Sequence, residues 1–186
     1  MIQHLIVPVD GSDASWRAAD VAMALARRGD ATVDIIEVVF DQHDVADAEA
    51  RLSERLEQHE ASNDGVTTHV RLATESVAQA ISDEVEQHPE ATVVLASHGR
   101  GRSAALLGSV TEELLERTFG PMLVVGPHVT HSELEGPIIA TVDGSKACES
   151  VLPLAAAWGI ELGSVPWIIE VAEPNSAGSS DVNESA

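Results

Sequence analysis

Apolar residues fall along this chain in short unbroken runs, separated by longer segments in which they recur every three or four positions. The runs read as buried strands and the periodic segments as amphipathic helices. Leu5–Val9 is the first run, and Asp10-Gly11-Ser12 follows it with a turn and a helix cap at Ser12 or Asp13. From Ala14 to Arg28 the residues Trp16, Ala19, Val21, Ala22, Leu25 and Ala26 mark one helical face, and Gly29-Asp30 is expected to stop that helix. Thr32–Val39 is the second strand, an acidic helix runs from about Val45 to Ala61, and Asn63-Asp64-Gly65 turns into a third strand, Val66–Leu72. A helix from Ser76 to Gln87 ends at His88-Pro89.

The next segment, ATVVLASHGRGRSAALLGSVTEELLERTFGPMLVVG, combines a fourth strand, Thr92–Ala96, with a loop holding Gly99 and Gly101. Gly108-Ser109 opens a helix that ends at Gly120-Pro121, and Pro121–Val125 is the fifth strand. Strict alternation of strand and helix predicts an α/β fold, an open five-stranded parallel sheet with helices on both faces. A loop of this kind, leading from a strand end into a helix N-terminus, suits an anion. Helix-end N–H groups lack partners within the helix, and glycine lets a phosphate approach the backbone closely.

The remaining sixty or so residues repeat the beginning. A gapless shift of 133 positions places Ile6 on Ile139, Asp10-Gly11-Ser12 on Asp143-Gly144-Ser145, and Ile35–Val38 on Ile168–Val171. The copy predicts one β-α-β unit, residues 137–172, reached through a polar linker, 128–136, and followed by a small, polar tail, 173–186, whose composition predicts disorder. Such a unit has a sheet face it cannot cover alone, so it is expected to dock on the first domain, 1–127, or on another chain. The repeat copies Asp10 as Asp143 but has no glycine loop.

Composition narrows the function. A net charge of −21 argues against polyanionic partners, nucleic acid and membrane surface alike. One lysine stands against nine arginines, and acidic residues are spread along the helices, a pattern suited to a high-salt, halophilic cytoplasm where screening relieves self-repulsion. The single cysteine, Cys148, cannot form an internal disulfide, no zinc-ligand spacing accompanies it, and it reads as a small buried helix residue. Leu5–Val9 is too short for a signal or membrane segment, so a cytoplasmic location is expected. His98 and the acidic run Asp44, Asp47, Glu49, Glu54 and Glu57 read as turn and solvated-face residues.

The strand ending VPVDGS, the strand ending at Glu37-Val38-Val39 and the segment SHGRGRSAALLGSVTEELL before PMLVV together resemble the universal stress protein family over residues 1–126. The resemblance implies strand order 3-2-1-4-5, with a nucleotide in the crevice where strands one and four part; that is also where open parallel sheets bind ligands on general grounds. It further implies that Pro8 lines a base pocket, the backbone of Val38 faces adenine and Asp10 binds ribose. Ala96, Gly99, Gly108 and Ser109 would cradle phosphate, with Val110 and Thr111 beside them. In nucleotide-binding members the first glycine of a GxxG pair stands where this chain has Ala96, Gly99 filling the second place, and nine residues rather than the eight found here separate that pair from the Gly-Ser that Gly108-Ser109 supplies. Arg100 and Arg102 add two guanidiniums able to hold phosphate oxygens in bidentate fashion.

The expected ligand is therefore ATP, with Mg²⁺ as its companion, in a regulatory or stress-response binding protein. No nucleophile and base pair is evident, so no catalytic residue is assigned; for weak ATPase or self-phosphorylation, Ser109 or Thr111 would be the residues to examine. The alternative is an interaction scaffold that keeps the fold without the nucleotide. The resemblance also implies a homodimer joined through the edge strand 121–125, with the half-repeat either blocking or reinforcing it.

Overall fold

In the computed structural model, which describes residues 2–59, 65–98, 107–117, 120–129 and 136–170, the chain divides into two units, Met1–Leu134 and Glu135–Ala186. The first is built from strands β1 (His4–Val9), β2 (Thr32–Val39), β3 (Val66–Leu72), β4 (Thr92–Ala96) and β5 (Met122–Val125). Between them lie helices α1 (Asp13–Gly29), α2 (Val45–Gln58), α3 (Val77–Gln87) and α4 (Ser109–Arg117). The strands form one five-stranded parallel sheet, as the alternation predicts, in the order β3-β2-β1-β4-β5 that the resemblance implies. β1 is paired to β2 on one side and to β4 on the other, so the chain reverses its direction of winding at β1.

Strand parity explains why the central strands are apolar along their whole length rather than alternating. Ile6, Ile36, Val93 and Leu95 project to one face and pack with Ala78, Ile81 and Val85 of α3 and Leu114 of α4. Leu5, Val7, Val33, Ile35 and Val94, one residue out of step with these, are also buried, on the face that carries α1. Each such fully buried aliphatic side chain contributes roughly 1.5–3 kcal/mol. α1 shows the amphipathic stripe read from sequence, with Trp16, Ala19, Val21, Ala22, Leu25 and Ala26 all buried.

Helix ends follow local chemistry, and the structure selects between the residues the sequence offers. Ser12, not Asp13, caps α1, its Oγ accepting from the Ser15 N–H. Gly29 remains helical, and the left-handed stop is Asp30 at φ 53°, a conformation that a short polar side chain tolerates. A 3₁₀ turn, Gln42–Asp44, which the periodicity does not predict, precedes α2.

The second unit contains β6 (Ile139–Val142), α5 (Lys146–Glu149), α6 (Val151–Leu162) and β7 (Trp167–Glu170), the two strands pairing in parallel. It reproduces the β1-α1-β2 geometry at the 133-residue shift. Ile139 pairs with Trp167 as Ile6 pairs with Asp34, and Gly144 has φ 78° as Gly11 does. Gly163 takes the left-handed cap position of Asp30. The Ser164 N–H returns to the Gly159 carbonyl at 2.8 Å as Ala31 returns to Ala26 at 3.1 Å. In that tight return a Cβ on Gly159 would lie 2.7 Å from the Ser164 carbonyl oxygen, so glycine is required there.

One difference is the split between α5 and α6, which together span the equivalent of α1. Pro153 has no N–H to give the Glu149 carbonyl and its ring crowds that carbonyl, so the helix breaks at Ser150. Cys148, expected to be buried, is only half-buried, its Sγ 3.5 Å from the Thr141 carbonyl oxygen. Ile139, Trp167 and Ile169, which share one face of the β6–β7 pair, are exposed.

Candidate functional site

The described residues among those assigned by sequence lie at or beside the carboxyl ends of β2, β1 and β4. Pro8 lies in β1 and Val38 in β2, on the same face of the sheet, and Asp10 follows β1 directly. Ala96 is the last residue of β4, and α4 begins at Ser109. This is the point where β2 and β4 depart from opposite sides of β1, the switch point at which open parallel sheets generally bind ligands.

At β1 the turn is set by Asp10-Gly11-Ser12. The Ser12 N–H donates to Asp10 Oδ1 at 3.0 Å, Gly11 supplies the positive φ, and the Asp10 N–H donates to Ser15 Oγ at 3.2 Å. The second unit provides an internal comparison, because the Ser145 N–H donates to Asp143 Oδ1 at 2.9 Å in the same turn. The Asx-turn is therefore a local property of the Asp-Gly-Ser sequence, and any ligand role of Asp10 is additional to it.

At β4 the ends of the glycine loop are drawn together. The Gly108 N–H donates to the Ser97 carbonyl at 2.8 Å, and the Ser97 N–H donates to the Val125 carbonyl of β5 at 2.8 Å. Thr111, buried in the first turn of α4, donates its hydroxyl to the Ala96 carbonyl at 3.3 Å. These bonds bring the N-terminus of α4 to the end of β4, where its first-turn N–H groups can meet an anion. Among the described residues only Asp30 is a non-glycine with positive φ, so Ala96 is in ordinary strand geometry and its methyl costs the backbone little. The eight-residue spacing falls between Ser97 and Gly108, whose mutual hydrogen bond fixes both ends of the loop.

Gly99, Arg100, Gly101 and Arg102 lie outside the described residues. Of the rest, Ser109 is exposed, Gly108 is half-buried, and Val110 packs against the apolar cluster beneath α3 and α4. Thr111 is committed to a structural hydrogen bond, and Val38 also packs on that cluster. Among the described residues on this side, Ser109 is thus the side chain most available to a ligand.

Residues 1–126 match the model of the universal stress protein family. The chain belongs to that family. A curated universal stress protein of Methanocaldococcus jannaschii is 29% identical over 140 residues, which cover 67% of this chain and 82% of that protein. Among solved structures, UspA of Lactobacillus plantarum shares the fold with a TM-score of 0.59 at 23% identity, covering 66% of this chain and 97% of the other. A universal stress protein solved in complex with cAMP gives 0.55 at 22% identity, covering 66% and 96%. One from Archaeoglobus fulgidus in complex with dAMP gives 0.51 at 16%, covering 67% and 97%.

The structure also shows polar groups that no motif marked. Behind the Asp10-Gly11-Ser12 turn, α1 and α2 enclose a cleft of about 250 Å³ lined by Gly11, Trp16, Glu37, Arg51, Arg55 and Gln58 among others. In it the buried Glu37 accepts from Arg51 Nη2 at 2.7 Å, and Arg55 lies over the Trp16 ring while donating to Asp13 at 2.7 Å. On the opposite face Arg71 of β3 grips the buried Glu84 of α3 through two hydrogen bonds of 2.7 and 2.9 Å. Hydrogen bonding from Arg71 holds the Glu84 carboxyl below its ordinary value against the opposing effect of burial. Burial raises the Asp34 carboxyl, but the hydrogen bonds from Thr67 and His4 prevail and its pKa is lowered. Only the periodic placement of charged residues within apolar strands, Glu37 and Asp34 in β2, signals such pairs in sequence.

Proposed function

We propose that this universal stress protein binds an adenine nucleotide, ATP with Mg²⁺ foremost, in the crevice between β1 and β4, and acts as a regulatory or protective binding protein. The single observation that carries the reading is the closed base of the glycine loop, Gly108 to Ser97, which sets the α4 N-terminus at the end of β4. In this reading Pro8 and the Val38 backbone take the base and Asp10 the ribose. Ala96, Gly99, Gly108 and Ser109 take the phosphates, flanked by Val110 and Thr111, and Arg100 neutralises charge. The relatives solved with cAMP and dAMP support the adenine preference.

The test is a calorimetric or thermal-shift titration of the full chain with ATP and Mg²⁺ in molar KCl. A ligand that binds only the folded state raises its stability by about 2.7 kcal/mol at one hundred times Kd. A Tm rise that saturates with ATP is expected; a well-folded protein showing none at millimolar ATP sinks the proposal.

A second reading is favoured by the second unit, which presents Ile139, Trp167 and Ile169 to solvent on one sheet face. In it residues 137–172 are a truncated second copy of the stress-protein domain that serves assembly, reinforcing or replacing a homodimer through β5, with or without nucleotide.

A further inference from the structure

The opposite edge of the sheet, where the strands begin, carries a second cluster of chemical interest. His4 opens β1, while His88 and Glu90 belong to the turn between α3 and β4. One ligand atom from each of these residues can be chosen so that all three lie within 4.8 Å of one another. Glu90 Oε1 is 3.9 Å from His4 Nδ1 and 3.8 Å from His88 Nδ1. The two imidazoles meet edge to face with centroids 4.7 Å apart.

The outer nitrogens are as informative as the inner ones. His4 Nε2 is hydrogen-bonded to Asp34 Oδ2 at 2.7 Å, and His88 Nε2 faces Glu84 Oε1 at 3.9 Å. Each histidine therefore turns one nitrogen toward the shared centre and the other toward a carboxylate. The His4–Asp34 bond is the arrangement by which proteins fix the orientation of metal-bound imidazoles and raise their basicity, while Glu84 stands near His88 without a direct hydrogen bond. Both carboxylates are themselves anchored, Asp34 by the Thr67 hydroxyl and Glu84 by the Arg71 guanidinium.

The turn that presents the other two ligands is also fixed. The Ala91 N–H donates to the His88 carbonyl at 2.9 Å, closing a β-turn with Pro89 at its second position, where a locked φ is suited. The cluster is thus assembled from a buried strand residue and a rigid turn, with His4 buried and Glu90 open to solvent. Asp34, Glu84 and Glu90 together against one arginine leave a local field that favours a cation.

We propose that His4, His88 and Glu90 bind a divalent first-row transition cation, zinc being the representative ion. Two imidazoles and one carboxylate are an N/O donor set that suits Zn²⁺, Co²⁺ or Ni²⁺ rather than the all-oxygen coordination of Mg²⁺ or Ca²⁺. Bonds of about 2.0–2.2 Å in tetrahedral geometry require donors about 3.3–3.5 Å apart, so a closure of an ångström or so completes the set, leaving the fourth position to water. The bound ion would clip the start of β1 to the α3–β4 turn. The site lies at the end of the sheet away from the glycine loop and requires no nucleotide.

The experiment is titration of tag-free, metal-stripped full-length protein with Zn²⁺ by calorimetry and with Co²⁺ by visible absorption, without nucleotide and with millimolar Mg²⁺ present. One equivalent of Zn²⁺ is expected, with Co²⁺ giving the d–d bands of a low-coordinate nitrogen-ligated ion. Affinity should fall at least tenfold in His88→Ala and also in Glu90→Gln, whose side chain is exposed and whose fold should persist. A variant at the remote His59–Asp20 pair, His59→Ala, should bind as the parent does. Absence of stoichiometric binding to the parent protein overturns the proposal, as does undiminished affinity in Glu90→Gln and in His88→Ala.

Discussion

The most consequential single side chains in the first unit are charged ones within an apolar frame. Glu84 is buried at 5% side-chain exposure and is matched by Arg71, itself 38% exposed. Arg71→Ala leaves that carboxylate in the interior without its partner, a change that costs about 3 kcal/mol in buried pairs and somewhat less here because water reaches the arginine. The penalty depends on pH. The Glu84 pKa is lower in the folded state, so the pair's contribution is present above the ordinary value of 4.5 and is lost as pH falls through the lower folded value. Urea denaturation of the parent and Arg71→Ala should show a gap at pH 7 that narrows below about pH 4. A gap constant down to pH 3 would show that packing, not charge, is what the arginine supplies.

At the scale of elements, α4 has two tasks that different residues perform. Thr111 ties its first turn to the Ala96 carbonyl, whereas Ser109 stands exposed at the first helical position. Thr111→Val removes a buried hydroxyl bond and should lower stability by about 1 kcal/mol. Ser109→Ala should leave the denaturation midpoint within about 0.5 kcal/mol of the parent, as surface substitutions usually do, and weaken ATP binding instead. Chemical melts beside calorimetric titrations of both variants test this division; equal stability loss in the two would refute it. The bounds of α1, α3, β3 and β4 were legible to within a residue because caps and turns are decided locally. The exact stop of α1 was not, since either Gly29 or Asp30 can take a left-handed conformation and only the surrounding packing selects one.

For the whole molecule, the question is what covers the bare face of the β6–β7 unit. A two-stranded sheet has marginal stability alone, and Ile139, Trp167 and Ile169 gain by burial. If the second unit mediates assembly, a chain ending near Pro127 should retain a cooperative melt from its five-stranded core and scatter light as a smaller species than the full-length protein. An unchanged oligomeric state would assign assembly to β5 or to no interface at all. The parallel sheet was legible from strand-helix alternation, and its order from the family resemblance that VPVDGS and the glycine-loop segment carry. The convergence of Pro8, Asp10, Val38, Ala96 and Thr111 on one edge then follows from their positions at strand ends.

By itself the sequence determined what depends on neighbours along the chain: the strand runs and helical stripes, the Asp-Gly-Ser turns with their positive-φ glycines, the repeat at 133 residues and the family. Tertiary structure alone decided which distant residues meet. His4 reaches His88, Arg71 reaches Glu84 and Arg51 reaches Glu37 only because parallel pairing sets β1, β2 and β3 in register and packs α2 and α3 against them. Local periodicity specifies which face a side chain takes, but the partner across that face is fixed by the pairing of strands separated by tens of residues, which no window of sequence contains.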